Sequence, residues 1–234
     1  MQIAARQSFL TGRAGPPLPY DAEVEWLQGD GASGVLIPGS FTSGGAITVY
    51  YYRGSLATED IFGQRLTNGI NNQALAFRHT RNNDRLSSQN LSYFVSPYAV
   101  GSPWFSTSTP GQQTSQLLRL TVDIDAKLAT WFDGTTSSMG TWTTLPQSTT
   151  LGLFGWANSA GNGFYSYSTV KIVAFEISQG GQAALDLIPV RVGSVGYLYD
   201  RANPDGGPLG NGLYGNAADG QGGVTGFAQF GADK

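Results

Sequence analysis

The sequence predicts an all-β fold, a two-sheet antiparallel jelly-roll sandwich, and three observations carry that reading. Short apolar runs with a two-residue period recur along the chain. Turn-forming residues, among them 33 glycines and 11 prolines in 234 residues, separate those runs, at the spacing of about 8 to 12 residues typical of sandwiches. The third observation is residues 116–134, QLLRLTVDIDAKLATWFDG, which spell out a hairpin. Leu118, Leu120, Val122 and Ile124 alternate with Arg119, Thr121, Asp123 and Asp125, so one strand face is apolar and the other polar. Asp125-Ala126-Lys127 makes the turn, and residues 128–133 return before Asp133-Gly134 breaks the strand. A lone hairpin is barely stable in water, so its apolar face requires a sheet and a second layer. The sequence shows no internal repeat period, which disfavours propellers and solenoids.

Taken in order, residues 1–20 hold Gly12, Gly15, Pro16, Pro17 and Pro19 without a sustained period and read as an extended arm. Residues 22–27 read as a strand with Ala22, Val24 and Trp26 on one face; Gly29, Gly31 and Gly34 interrupt it, and residues 35–37 resume before Pro38-Gly39. Residues 46–52, AITVYYY, combine β-branched and aromatic side chains and have high strand propensity. Strands follow at 60–64 and 74–78, divided by the turn-rich 67–72, and the polar 82–90 leads into 91–98 with Tyr93, Phe94 and Tyr98. Residues 100–113 form a Ser/Thr/Pro/Gly loop around Trp104 and Phe105, and residues 135–150 form a second loop with Trp142. Residues 151–157 read as a strand whose glycines permit close packing or a bulge. Residues 164–178 are the longest β-type run, followed by strands at 185–190 and 195–199. Residues 202–223 are dominated by Gly, Asn and Asp and read as a compact irregular tail. The count is about ten to twelve strands. The organisation expected is an arm (1–20), one jelly-roll domain (21–200) and a tail packed on or beside it (201–234).

Only 12% of residues are charged and the formal net charge is -3, so the basic footprint of phosphate binding is missing and no nucleic-acid partner is expected. The absence of cysteine excludes disulfides and thiolate metal sites. The first residues show no apolar signal-peptide core, and no segment approaches the roughly 18 apolar residues of a membrane span. Neither an ordinary signal peptide nor membrane insertion is therefore expected. Release with a virus particle is one route outside the cell that needs neither.

Four separated pieces carry a family resemblance. They are residues 23–31 (EVEWLQGDG), residues 60–63 (DIFG), the hairpin, and residues 171–176 (KIVAFE) leading into 186–191 (DLIPVR) and 196–200 (GYLYD). In this order the chain resembles the concanavalin A-like lectin/glucanase jelly roll over about residues 22–200. The form resembled is the laminin-G-like one of phage tail, fibre and other virion proteins and of gut-bacterial surface proteins. Leu213-Tyr214-Gly215-Asn216 stands where similar proteins carry a Leu-Phe-Gly-Asn-like turn, after a longer insertion at 203–212. The resemblance implies two curved sheets with a glycan-binding or adhesive role. It also implies a homo-oligomer, the trimer being common among fibre and tail modules, with other virion proteins as partners.

The glucanase branch of that family uses a Glu-x-Asp-x-Glu strand because a retaining glycosidase needs closely paired carboxylates. Here Glu23 and Glu25 flank Val24 and the third position is the apolar Leu27, while Asp123 and Asp125 pair beside a turn. No catalytic residue is assigned and a non-enzymatic protein is expected. His79 is the sole histidine and, between Arg78, Thr80 and Arg81, reads as an exposed strand end. No cofactor is required, though the family resemblance brings in calcium, with Asp205 of Asn203-Pro204-Asp205-Gly206 and Asp219 of Asn216-Ala217-Ala218-Asp219 as candidate ligands. Sugar binding uses rings against the apolar faces of pyranoses and amides against hydroxyls. Tyr98, Trp104, Phe105, Trp142 and Tyr165 lie in or beside loops and are the candidate glycan platforms, each weighed against packing on its own loop or a neighbouring subunit. Trp26, Trp131, Trp156 and Phe175 are assigned to the core, and Tyr50-Tyr51-Tyr52 must put a ring on each sheet face. The function expected is a phage virion structural protein, in the tail, fibre or capsid decoration, attaching to host-surface glycan. The alternatives are a bacterial cell-surface or secreted carbohydrate-binding module, or a degenerate glycoside hydrolase.

Overall fold

A computed structural model describes residues 17–41, 43–55, 59–64, 75–81, 89–94, 104–105, 114–135, 137–141, 148–217 and 224–234. Its strands begin with β1 (Ala22–Glu23), β2 (Leu27–Gln28), β3 (Val35–Phe41), β4 (Gly45–Tyr52), β5 (Glu59–Gly63), β6 (Ala76–Arg81) and β7 (Gln89–Phe94). The middle of the chain gives β8 (Trp104–Phe105), β9 (Leu118–Asp123), β10 (Leu128–Phe132), β11 (Ser137–Thr141), β12 (Ser148–Leu153), β13 (Gly155–Ala157) and β14 (Phe164–Tyr167). Last come β15 (Lys171–Gln179), β16 (Gln182–Val192), β17 (Val195–Asp200), β18 (Leu213–Tyr214), β19 (Asn216–Ala217) and β20 (Val224–Thr225).

Two large antiparallel sheets result, as the alternation predicts. One follows the order β11-β10-β9-β4-β15-β16-β17-β18, with β1 on β16 and β2 on β15; the other follows β3-β12-β5-β6-β7-β8. The hairpin β9–β10 is present, but its turn takes in Ile124 as well as residues 125–127, so Leu120 lies opposite Trp131 and Val122 opposite Ala129, and one face of both strands is apolar. That face joins Ile47, Val49 and Tyr51 of β4 and Ile172, Phe175 and Ile177 of β15. Val35, Ile37, Ile61, Phe62, Phe77, Leu151 and Leu153 meet them from the other sheet. Phe62 is the pivot, stacked on Phe77 at 5.0 Å between centroids and edge-on to Phe175 at 5.6 Å. Burial of a side chain of this class stabilises the fold by about 1.5–3 kcal/mol, so the sandwich owes its cohesion to this single cluster.

Several elements differ from the sequence reading. Residues 22–27 are two short strands. β1 pairs with β16 up to Glu23, the chain bends at Glu25, and β2 pairs with β15 from Leu27. The bend advances the alternation by one residue, so Val24 and Leu27 enter the core. Trp26 is only half-buried, with the Lys171 ammonium 4.4 Å from its ring centroid, and so is not the core residue expected. The run 164–178 divides into β14 and β15 at residues 168–170, and 151–157 divides at Phe154. The Phe154 backbone is left-handed (φ 63°), a conformation that costs an ordinary residue about 1–2 kcal/mol. The two regions read as loops contain β8 and β11, each an end strand of its sheet order, where sequence signals are weakest.

The tail is less irregular than its composition suggests. β18 extends the ten-stranded sheet, and residues 227–234 run back along residues 23–28. The bonds are Gln28 N–H to Gln229 O at 3.0 Å, Gly231 N–H to Trp26 O at 2.9 Å and Glu25 N–H to Ala232 O at 3.0 Å. Phe227 reaches the main core. On the outer face, Tyr20 and Leu213 cover Ile188, Val190 and Tyr199 in a second small cluster.

Candidate functional site: the hairpin over the six-stranded sheet

β13 and β14 form a hairpin laid against the outward face of the six-stranded sheet, and glycines make its seat. Leu151 and Leu153 point into the core, so Gly152 between them faces outward. A Cβ on Gly152 would come within 2.6 Å of the Ala157 nitrogen and 2.7 Å of the Phe164 ring. At Gly155 (φ 154°) an added Cβ would run into the Ser166 carbonyl. Gly152→Ala is therefore expected to lift the hairpin and cost about 1–3 kcal/mol, read as a lower urea midpoint with the β-sheet circular dichroism retained.

The buried Gln64 amide fixes the hairpin's loop. Its Oε1 accepts from the Thr149 and Thr150 backbone N–H groups at 2.8 and 3.3 Å, and its Nε2–H donates to the Asn158 carbonyl at 3.1 Å. Asn158 and Asn162 close the loop through Asn158 Nδ2–H to Asn162 Oδ1 at 3.2 Å and Asn162 N–H to Asn158 Oδ1 at 3.3 Å.

Beneath the hairpin lies a carboxylate, a guanidinium and an indole in one stack. Arg78 Nε–H donates to Asp60 Oδ1 at 2.6 Å, and the guanidinium carbon sits 4.0 Å from the Trp156 ring centroid. Trp156 Nε1–H donates to the Phe77 carbonyl at 3.1 Å. Asp60 and Trp156 are buried while the Arg78 side chain keeps 24% of its surface. Cation–π contact and a charge-assisted hydrogen bond thus hold the guanidinium flat, one edge toward solvent. No local spacing announces this trio, because Asp60, Arg78 and Trp156 come from β5, β6 and β13.

Of the five predicted aromatic platforms, the structure places Tyr165 on β14, 49% exposed, at the bulge between the pairs Trp156–Ser166 and Ala157–Phe164. Trp104 and Phe105 form β8, paired with Ser92 and Leu91 of β7. Tyr98 and Trp142 lie outside the described residues. Trp131 and Phe175 are core as expected, while Trp156 is buried outside the main cluster.

Of the two carboxylate pairs, Asp123 and Asp125 have structural duties. Asp123 Oδ1 accepts from Ala126 N–H and Asp125 Oδ1 from Gly44 N–H, each at 2.8 Å, which anchors the hairpin turn. Glu23 ends β1 and Glu25 lies exposed past the strand end, so the two do not share a strand face, although alternation along one strand over residues 22–27 would have put them on one. His79 pairs through its backbone with Glu59 and Leu91. Asp205 is exposed in a turn closed by Gly206 N–H to Asn203 O at 3.0 Å, and Asp219 lies outside the described residues. Among the described residues no three His, Cys, Asp or Glu side chains converge as a metal site, and no helix is long and apolar enough to cross a membrane.

No protein-family model matches this sequence, and no curated protein matches it significantly. Solved structures do overlay on it in part. A native heptameric SAP-like pentraxin from Limulus polyphemus overlays at 13% identity and TM-score 0.44, over 66% of this chain and 73% of that one. A Scytalido-glutamic peptidase bound to a peptide-based transition-state analog gives 14% identity and TM-score 0.39, over 70% of this chain and 85% of that one. Tailspike protein 2 of Escherichia coli O157:H7 bacteriophage CAB120 gives 9% identity and TM-score 0.42, over 71% of this chain and 27% of the tailspike.

Proposed function

We propose that the chain is a non-enzymatic phage virion structural protein, of the tail, fibre or capsid decoration, that attaches to a host-surface glycan through the β13–β14 hairpin. One observation carries the binding surface: Tyr165 stands exposed beside the Asn158–Asn162 loop, on a hairpin seated rigidly over glycines. A phenol ring with neighbouring amides offers stacking and hydrogen bonds to a sugar. Residues 134–170 hold no charged side chain, so the glycan favoured is neutral. The four-piece sequence resemblance supports the virion setting, and the structural duties of Asp123 and Asp125 support binding without turnover.

A glycan array of the purified chain, with and without calcium and with bound sugars checked for cleavage, tests this. Tyr165→Ala should weaken binding about tenfold, the equivalent of about 1.4 kcal/mol, while the β-sheet circular dichroism is retained. A silent array would remove the attachment role. Cleavage of a bound sugar would make the protein a hydrolase.

A further inference from the structure

We infer that β11 is an assembly edge, at which a second copy of this chain adds its own β11 in antiparallel register. The inference deepens the self-assembly expected of a virion protein and rests on that part of the proposed function.

Among the described residues the ten-stranded sheet order ends at β11, and β8 of the other sheet passes beside it without forming a ladder. An open edge strand presents unpaired N–H and C=O groups, and natural proteins blunt such edges with charges, proline or a covering segment. Residues 134–145, GTTSSMGTWTTL, contain neither a charge nor a proline. Elsewhere this sheet is covered. β18 lies on β17, Gly196 and Phe227 exchange backbone bonds at 2.8 and 2.9 Å, and residues 227–234 bond along residues 23–28. Met139, at the middle of β11, is 69% exposed, the most exposed large apolar side chain among the described residues.

Charge identifies the occupant. β7, β8 and β11 arise from residues 86–118 and 134–170, two stretches without a single Asp, Glu, Lys, Arg or His, although the whole chain carries 13 basic and 16 acidic residues. In a two-fold contact each residue near the axis meets its own copy, so any charge there faces a like charge. A partner of different sequence would be served by opposite charges. A charge-free side suits a copy of itself, and depletion of charge is what the core of an interface shows. With Met139 on the axis, Ser137 faces the partner's Thr141 and Ser138 its Gly140, and the sheet continues across both copies.

Sedimentation of the full chain over a concentration series is the test. The wild type should associate. Met139→Lys, and independently Ser137→Lys, should raise the dissociation constant about tenfold or more, with the melting temperature of the monomer and its single-site glycan binding retained. Because the chain has no cysteine of its own, Met139→Cys should give one reducible cross-linked dimer on oxidation. A wild type that stays monomeric, assembly unaffected by both lysines, or assembly without the cross-link would overturn the inference. Loss of glycan binding in the wild type would instead strike the attachment reading and leave the edge untouched.

Discussion

Arg53→Met is expected to cost about 3–5 kcal/mol of folding stability at neutral pH, because it strands a buried carboxylate. Arg53 and Glu59 are 0% and 2% exposed, with Nε 3.5 Å from Oε2. Glu59 Oε1 also accepts from Gly54 N–H at 3.1 Å, Ser55 N–H at 3.0 Å and Thr169 Oγ1–H at 3.0 Å. These contacts sit where the chain leaves β4 of one sheet and enters β5 of the other, and they bind the segment before β15 to the same point. Burial pushes the Glu59 carboxyl above its usual range, outweighing Arg53, Thr169 and the Ser55 amide, which act downward. A carboxyl whose folded pKa lies above its unfolded one contributes stability at low pH that is lost as pH rises through the folded value. Removal of Arg53 raises that value further, so the variant should be nearly tolerated near about pH 4 and most damaged near about pH 8. Urea titrations of wild type and variant at both pH values check this. An equal cost at both would show that Glu59 is not the group left uncompensated. The double variant Arg53→Met, Glu59→Met should regain much of the loss, since apolar pairs can replace a buried ion pair.

The same cluster explains where the sequence could be read and where it could not. β9–β10 was legible because its register is a local property. Alternation fixes the buried face, and the turn at residues 124–127, four residues where the sequence reading has three, sets Leu128 opposite Asp123 and Leu120 opposite Trp131. The break between β14 and β15 has no glycine or proline to announce it. It occurs because Thr169 is held by Glu59, 110 residues away, as the chain passes from the hairpin to the other sheet. Trp26 was misplaced for a similar reason. Its strand changes partner from β16 to β15 at Glu25, and no local pattern records a change of partner. At the candidate site, the exposure of Tyr165 follows from a strand beside a loop, which composition signals. The Asp60–Arg78–Trp156 stack, assembled from three strands, leaves no trace in any one segment.

Phe227→Ala is the second large effect, with an expected loss of about 3–5 kcal/mol. A glycine-rich tail would ordinarily be dispensable, but Phe227 is 1% exposed and packs against Phe154 at 4.7 Å between ring centroids. The Phe154 backbone is left-handed and its carbonyl accepts from Ser168 N–H at 2.8 Å, which limits how far its backbone can shift to fill the cavity. Phe230, only partly buried against the same cluster, should cost less when truncated. Removing residues 226–234 altogether also strips the backbone partners of Glu25 and Gln28 and the carboxylate of Asp233, which accepts from Arg191 at 2.6 Å. Chemical denaturation of the two alanine variants and the truncation should rank them Phe230→Ala, Phe227→Ala, truncation in increasing damage. The order tests whether the strap acts through the core or through its ladder. Phe227→Ala as harmless as Phe230→Ala would mean the backbone bonds carry the strap. A truncation no worse than Phe227→Ala would mean that one ring does.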